Sequence, residues 1–131
     1  LKSDTDGCDI GFLARNWEAL EETFEAIWVE FDPSLTVGGS AEVDFLLDEL
    51  GSSRRCVYVF DNTGRLMTRA LMPGSADVIR DLAGWLALQA ATSVSIPYFD
   101  LWIVNERVAQ YIAEKRLWDH SEFSRMISSL L

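Results

Sequence analysis

A chain of 131 residues has the length of one domain. At 49% hydrophobic, with five Trp, seven Phe and three Tyr, it can bury a core without disulfide or metal staples. Its net charge of −10 sets up a field that repels nucleic acid and anionic membrane and attracts basic partners.

The charge is concentrated at one end. Residues 1–50 hold 13 acids against 2 bases, and residues 51–131 hold 8 acids against 9 bases. No apolar run approaches the roughly 20 residues of a membrane-spanning helix. No basic segment followed by an apolar stretch opens the chain, so no signal peptide is expected. The start at Leu1 rather than Met leaves room for a segment removed upstream. A cytoplasmic location is expected, with Cys8 and Cys56 as two reduced thiols, because their spacing matches neither CxxC nor a metal site.

Residues 1–11 read as a loose, polar lead-in. Asp4, Asp6 and Asp9 invite a calcium reading, but a loop starting at Asp4 has Cys8, Asp9 and Arg15 where the EF-hand needs a ligand, Gly and Glu. Asp9 is a plausible helix cap. Phe12–Phe31 is expected to be one long helix. Leu13, Trp17, Leu20, Phe24, Ile27, Trp28 and Phe31 recur at three-to-four spacing. Glu18, Glu21, Glu22 and Glu25 form an adjacent acidic arc. Asn16, Ala19, Thr23 and Ala26 form a small, neutral arc suited to packing against another element. Asp32-Pro33 ends the helix.

Ser34–Gly39 is a connector, with a short strand expected at Leu35–Val37. Ser40 is expected to cap a helix over Ala41–Leu50 that turns Val43, Leu46, Leu47 and Leu50 inward and carries Glu42, Asp44, Asp48 and Glu49. Residues 54–72 read as a β-hairpin: Cys56–Phe60, a turn at Asp61–Gly64, and a return strand Leu66–Leu71. The continuous apolar character of Cys56–Phe60 points to a central strand. Arg65, Met67 and Arg69 are expected on one face of the return strand. A helix over Ala76–Ala91 follows, capped by Ser75, with Val78, Ile79, Leu82, Trp85, Leu86 and Ala90 inside. Thr92–Val104 reads as a strand, bulged or at an edge because of Pro97. Asn105 caps a helix over Glu106–Leu117 that buries Val108, Tyr111, Ile112 and Leu117. Asp119 with Glu122 opens a last helix with Phe123, Met126, Ile127, Leu130 and Leu131 inside.

The expected fold is α+β: one domain over residues 1–131, with helices packed on a three- to four-stranded, largely antiparallel sheet in the order α-α-β-β-α-β-α-α.

No nucleophile elbow, P-loop or dinucleotide fingerprint is present. His120 is the single histidine, and a Cys56/His120 pair would need a thiol that lies in a core-like run. Gly38-Gly39-Ser40 fits a plain turn better than an anion cradle. The acids of the first two helices look uniformly exposed, whereas catalytic carboxylate pairs need unlike environments. No enzyme, metal or cofactor is therefore expected. Arg54, Arg55, Arg65 and Arg69 form a local basic group too small to make a nucleic-acid surface, and pairing with the chain's own acids accounts for them.

The functional expectation is a non-enzymatic acidic domain that binds a basic protein, in its most concrete form a bacterial immunity protein or antitoxin against a nuclease-like toxin. Glu18, Glu21, Glu22, Glu25, Asp44 and Asp48 would steer the partner, and Trp102 and Trp118 would anchor it. The alternatives are a dimerising scaffold or secretion-chaperone-like module, and an inhibitor that mimics the charge of DNA. Either a monomer or a homodimer is compatible with the sequence.

Overall fold

The fold is taken from a computed structural model, which describes residues 1–5, 7–90 and 96–115. Its elements in order are β1 (Lys2–Ser3), α1 (Asp9–Thr23), β2 (Ala26–Phe31), α2 (Ser40–Ser52), β3 (Cys56–Asp61), β4 (Leu66–Leu71), α3 (Ala76–Ala90), β5 (Phe99–Val104) and α4 (Glu106–Glu114). The α+β class holds. The sheet has five strands in the order β1-β2-β5-β3-β4, and it is mixed because β1 runs parallel to β2. The expectation of three or four strands missed β1 and β2. Among the described residues no helix is long and apolar enough to cross a membrane.

The connections explain where the helices sit. β5 is antiparallel to both β2 and β3, so β2 and β3 run the same way. Three crossovers result: β1-α1-β2, β2-α2-β3 and β4-α3-β5. The third starts on a reversed strand and steps back across the sheet. Crossovers of one hand, the strong rule for such units, therefore place all three helices on one face.

That face holds the main core. Ile27, Val29 and Phe31 of β2 lie beside Ile103, Leu101 and Phe99 of β5, and Val57 and Val59 of β3 continue the rows. Leu13, Trp17 and Leu20 from α1, Leu46, Leu47 and Leu50 from α2, and Ile79 and Leu86 from α3 cover them. The opposite face carries Tyr58, Phe60, Trp102 and Val104, packed with Ile112 of α4. Two buried faces are why β3 reads as an unbroken apolar run.

The largest correction concerns Phe12–Phe31. The helix ends at Thr23, Phe24 takes an extended conformation (φ −113°, ψ 129°), and Ala26–Phe31 is a strand with alternating burial. Ile27, Trp28, Val29 and Phe31 are β-branched or aromatic, which suits a pleated surface. Asn16, Ala19 and Thr23 are exposed rather than packed.

Asp9 does not cap α1. It lies in the first turn, buried, and accepts hydrogen bonds from Ser3 Oγ at 2.5 Å and Thr5 N at 3.0 Å, which ties the lead-in down. Leu35–Val37 forms turn rather than strand, held by Asp32, whose carboxylate accepts from Ser34 N and Leu35 N. Ser40 is the first residue of α2, after Gly39 at φ +68°, and makes no capping bond.

The hairpin forms as read. Asp61 Oδ1 accepts from Thr63 N at 2.9 Å and Arg65 N at 2.9 Å, and Gly64 supplies the φ of +79° that closes the turn. A bulge between Val59 and Phe60 shifts the register, so Met67 turns toward α3 while Arg69 stays with Cys56 on the other side. Arg69 and Met67 therefore do not share a face. Asn105 caps α4, accepting from Val108 N at 3.0 Å. Tyr111, expected inside, is exposed, and so are Val78 and Trp85 of α3. β5 is a central strand and no edge, because Pro97 lies ahead of it. Leu117, Trp118, His120 and the expected last helix lie outside the described residues.

Candidate functional site: an acidic edge shared by two helices

α1 and α2 lie side by side. Near its start α1 meets the start of α2: Arg15 bonds Glu42, and a Cβ on Gly11 would collide with the Glu42 carboxylate. The end of α1 meets Arg55, just beyond the end of α2. The two helices therefore run in the same direction. Gly11, Arg15, Glu18 and Glu22 follow one stripe of α1 toward α2, and Glu42, Phe45 and Glu49 follow the facing stripe of α2.

The six acids expected at a partner surface divide into two sets. Four have internal cations. Glu21 pairs with Arg55 at 3.8 Å and Glu25 with Arg107. Arg80 reaches from α3 to Asp44 at 3.7 Å and Asp48 at 2.5 Å. Among the described residues Glu18 and Glu22 have no ion-pair partner. Exposed pairs contribute little, about 0–1 kcal/mol, and the side chains of Asp44 and Asp48 remain 67% and 74% exposed. A basic partner meets little resistance in exchanging its own cations for Arg80.

The aromatic anchors fare differently. Trp102 is 5% exposed, because it faces the side that α4 covers and packs beside Tyr58 with ring centroids 5.6 Å apart. Trp118 is outside the described residues. Among the described residues of α1 and α2 the aromatic that stands most open is Phe45, 51% exposed against 42% for Phe12. The sequence carried a sign of it: Phe45 falls outside the inward set Val43, Leu46, Leu47 and Leu50, and a Phe off the buried stripe of a surface helix is a candidate contact.

A second group of acids sits on the α4 side of the sheet. Asp100 lies opposite Glu30 in register. Burial pushes the Asp100 carboxyl above the usual range, against a hydrogen bond from the Trp28 indole. Burial and then Asp4 and Asp100 push Glu30 up as well. A carboxyl raised in the folded state binds its proton more tightly there than in the unfolded chain. Its cost is absent below the ordinary carboxylate range and is fully present above the raised value, so stability falls as pH rises between the two. Asp61 is shifted the other way, chiefly by the Thr63 hydroxyl, and its contribution is lost only below the ordinary range.

Acidifying from pH 7 to about pH 5 should therefore raise the contribution of this pair to stability. Asp100→Asn, which keeps an acceptor for Trp28, should melt no lower than wild type at pH 7 and should lose part of that response. Thermal unfolding at both pH values measures it. A variant that is less stable at pH 7 and keeps the full response contradicts this account.

Among the described residues no cluster of His, Cys, Asp and Glu suits a metal ion. Cys8 is exposed, Cys56 is buried, and neither forms a disulfide. No protein-family model matches the chain, and no curated protein or solved structure is significantly similar to it.

Proposed function

We propose that this chain is a non-enzymatic, acidic protein-binding domain that captures a basic protein along the α1–α2 edge. The observation that carries this reading is that Phe45 of α2 is 51% exposed, and that Glu18 and Glu22 of the neighbouring α1 are exposed with no ion-pair partner among the described residues. The acids steer the encounter and the ring supplies the close contact. In its most concrete form the protein is a bacterial, cytoplasmic immunity protein or antitoxin, whose partner is a nuclease-like toxin with a basic nucleic-acid-binding surface. A basic surface of that kind is complementary to the −11 of residues 1–50.

The test needs a basic partner, sought first as the product of a neighbouring gene. Against it, Glu18→Gln/Glu22→Gln should slow association about tenfold at low salt and flatten its salt dependence. Phe45→Ala should act on dissociation, at a cost of about 2 kcal/mol. Unchanged association of the double variant, with unchanged salt dependence, overturns the reading.

A second reading also has an observation in its favour. Met67, Val78, Leu82 and Trp85 line an open groove of about 480 Å³ between β4 and α3, and Leu88 of α3 is also exposed. Such a surface suits a dimerising interaction module. Size-exclusion chromatography across salt concentrations separates the two, since a salt-insensitive dimer supports the module. A DNA-mimicking inhibitor fits less well, because the acids cluster on two helices rather than spacing out like phosphates.

A further inference from the structure

The strongest departure from the acidic character of the chain lies where β3 begins, β4 ends and α4 passes over them. A cleft of about 370 Å³ opens there, within the span of about 300–1,000 Å³ usual for small-ligand sites. Its apolar lining is Cys56, Leu71, Met72 and Ala109, and its charged lining includes Arg54 and Arg69. Arg55 also borders it, though its guanidinium is spent on the end of α1. Among the described residues Glu106 is the single acid on its wall. With Arg55 paired to Glu21, Arg54 and Arg69 against that one glutamate still leave a local excess of positive charge among the described residues, in a protein of net charge −10.

From this we infer that the cleft binds a small organic carboxylate, an anionic head on an apolar body. An arginine fork matches a carboxylate by two parallel hydrogen bonds, which a lysine cannot do. Arg54 is exposed and has no ion-pair partner among the described residues. The apolar lining sets the rest of the ligand. A hydrated inorganic anion would leave Leu71, Met72 and Ala109 uncovered, whereas an alkyl or aryl body removes them from water. Burial raises the Cys56 thiol above its usual range, so it adds no negative charge to repel the ligand. The cleft lies apart from the α1–α2 edge and has the opposite sign, so it does not depend on how that edge is used.

Calorimetric titration of the full chain with octanoate, 1-octanol, octylamine and inorganic phosphate tests the inference. Octanoate should bind at least about tenfold more tightly than octanol or phosphate, the difference one charged hydrogen-bonded contact makes, and octylamine should not bind. Amide shifts on octanoate addition should centre on Cys56, Leu71 and Ala109. Arg54→Ala should weaken octanoate about tenfold and leave octanol unchanged. Equal binding of octanoate and octanol, equal binding of octanoate and phosphate, or shifts centred on Val78 and Trp85 overturns the inference.

Discussion

Replacing Arg55 with methionine should cost about 3 kcal/mol of stability and lower Tm by roughly 10 °C in a domain of this size. The last four carbonyls of any helix lack partners within the helix, and α1 has no basic residue in its last turn. Arg55 supplies what α1 lacks from more than 30 positions away. Its side chain is 5% exposed. It donates through Nη1 to the Phe24 carbonyl at 2.8 Å and the Glu25 carbonyl at 3.3 Å, and through Nη2 to the Glu21 carbonyl. The positive charge also sits at the negative end of the helix, and Glu21 stands 3.8 Å from Nε.

Burial pushes the guanidinium below its usual range and Glu21 opposes that shift, but an arginine stays charged. Methionine keeps most of the apolar stem, so the substitution removes donors and charge with little change in packing. Each buried carbonyl left alone costs about 1–3 kcal/mol. The Glu25 carbonyl keeps the Asn105 N–H at 2.9 Å, so only those of Glu21 and Phe24 lose a donor they depend on, which sets the estimate below the simple sum. Arg55→Lys keeps the charge but can serve only part of the carbonyl set, so its loss should fall between wild type and methionine. Urea unfolding measures all three. A methionine variant within 0.5 kcal/mol of wild type would show that α1 ends the same way without the guanidinium.

The hairpin was legible because its information is local: an apolar β-branched run, an Asx turn at Asp61 and a glycine where positive φ is needed. Asn105 was legible for the same reason. The charge partners were not. Arg55, Arg80 and Arg107 come to Glu21, Asp48 and Glu25 from 34, 32 and 82 positions away, and no helical spacing announces such pairs. Alternation told which side of its strand Trp102 occupies but not that α4 would cover that side. Pro97 pointed to an edge, yet Phe99–Val104 is apolar on both sides and belongs between β2 and β3. The acidic half of the chain was plain from composition. Which of its acids stay without an internal cation among the described residues, and that Phe45 is left exposed, required the packed structure.

Val29→Asp should abolish cooperative folding, and it separates the strand from the helix that the same residues suggest. Leu20, Phe24, Ile27 and Phe31 fit a buried helical stripe, but Ile27 and Phe31 are four apart, a spacing that one face of a strand shares. Residues 28 and 29 decide between the two. A continued helix turns Trp28 inward and leaves Val29 aside. The strand buries Val29, which is 0% exposed opposite Leu101, and leaves Trp28 part-covered on the other side, stacked on Phe60 at 5.2 Å.

The helix itself was weak past Thr23. Glu18/Glu22 and Glu21/Glu25 are like-charge pairs four apart, each costing a few tenths of a kcal/mol. Six residue pairs with β5 outweigh what helix would remain. An aspartate at 29 buries a carboxylate with no cation in the row of Ile27, Phe31, Leu101 and Val59, at a cost of several kcal/mol. It also forfeits about 1.5–3 kcal/mol of valine burial. Together these match the roughly 5–15 kcal/mol that holds a domain folded. Val29→Ala should cost about 2 kcal/mol and still melt in one step. Near-ultraviolet circular dichroism and amide-proton dispersion report the outcome, and an aspartate variant that melts like wild type would remove Val29 from the core and β2 from the sheet.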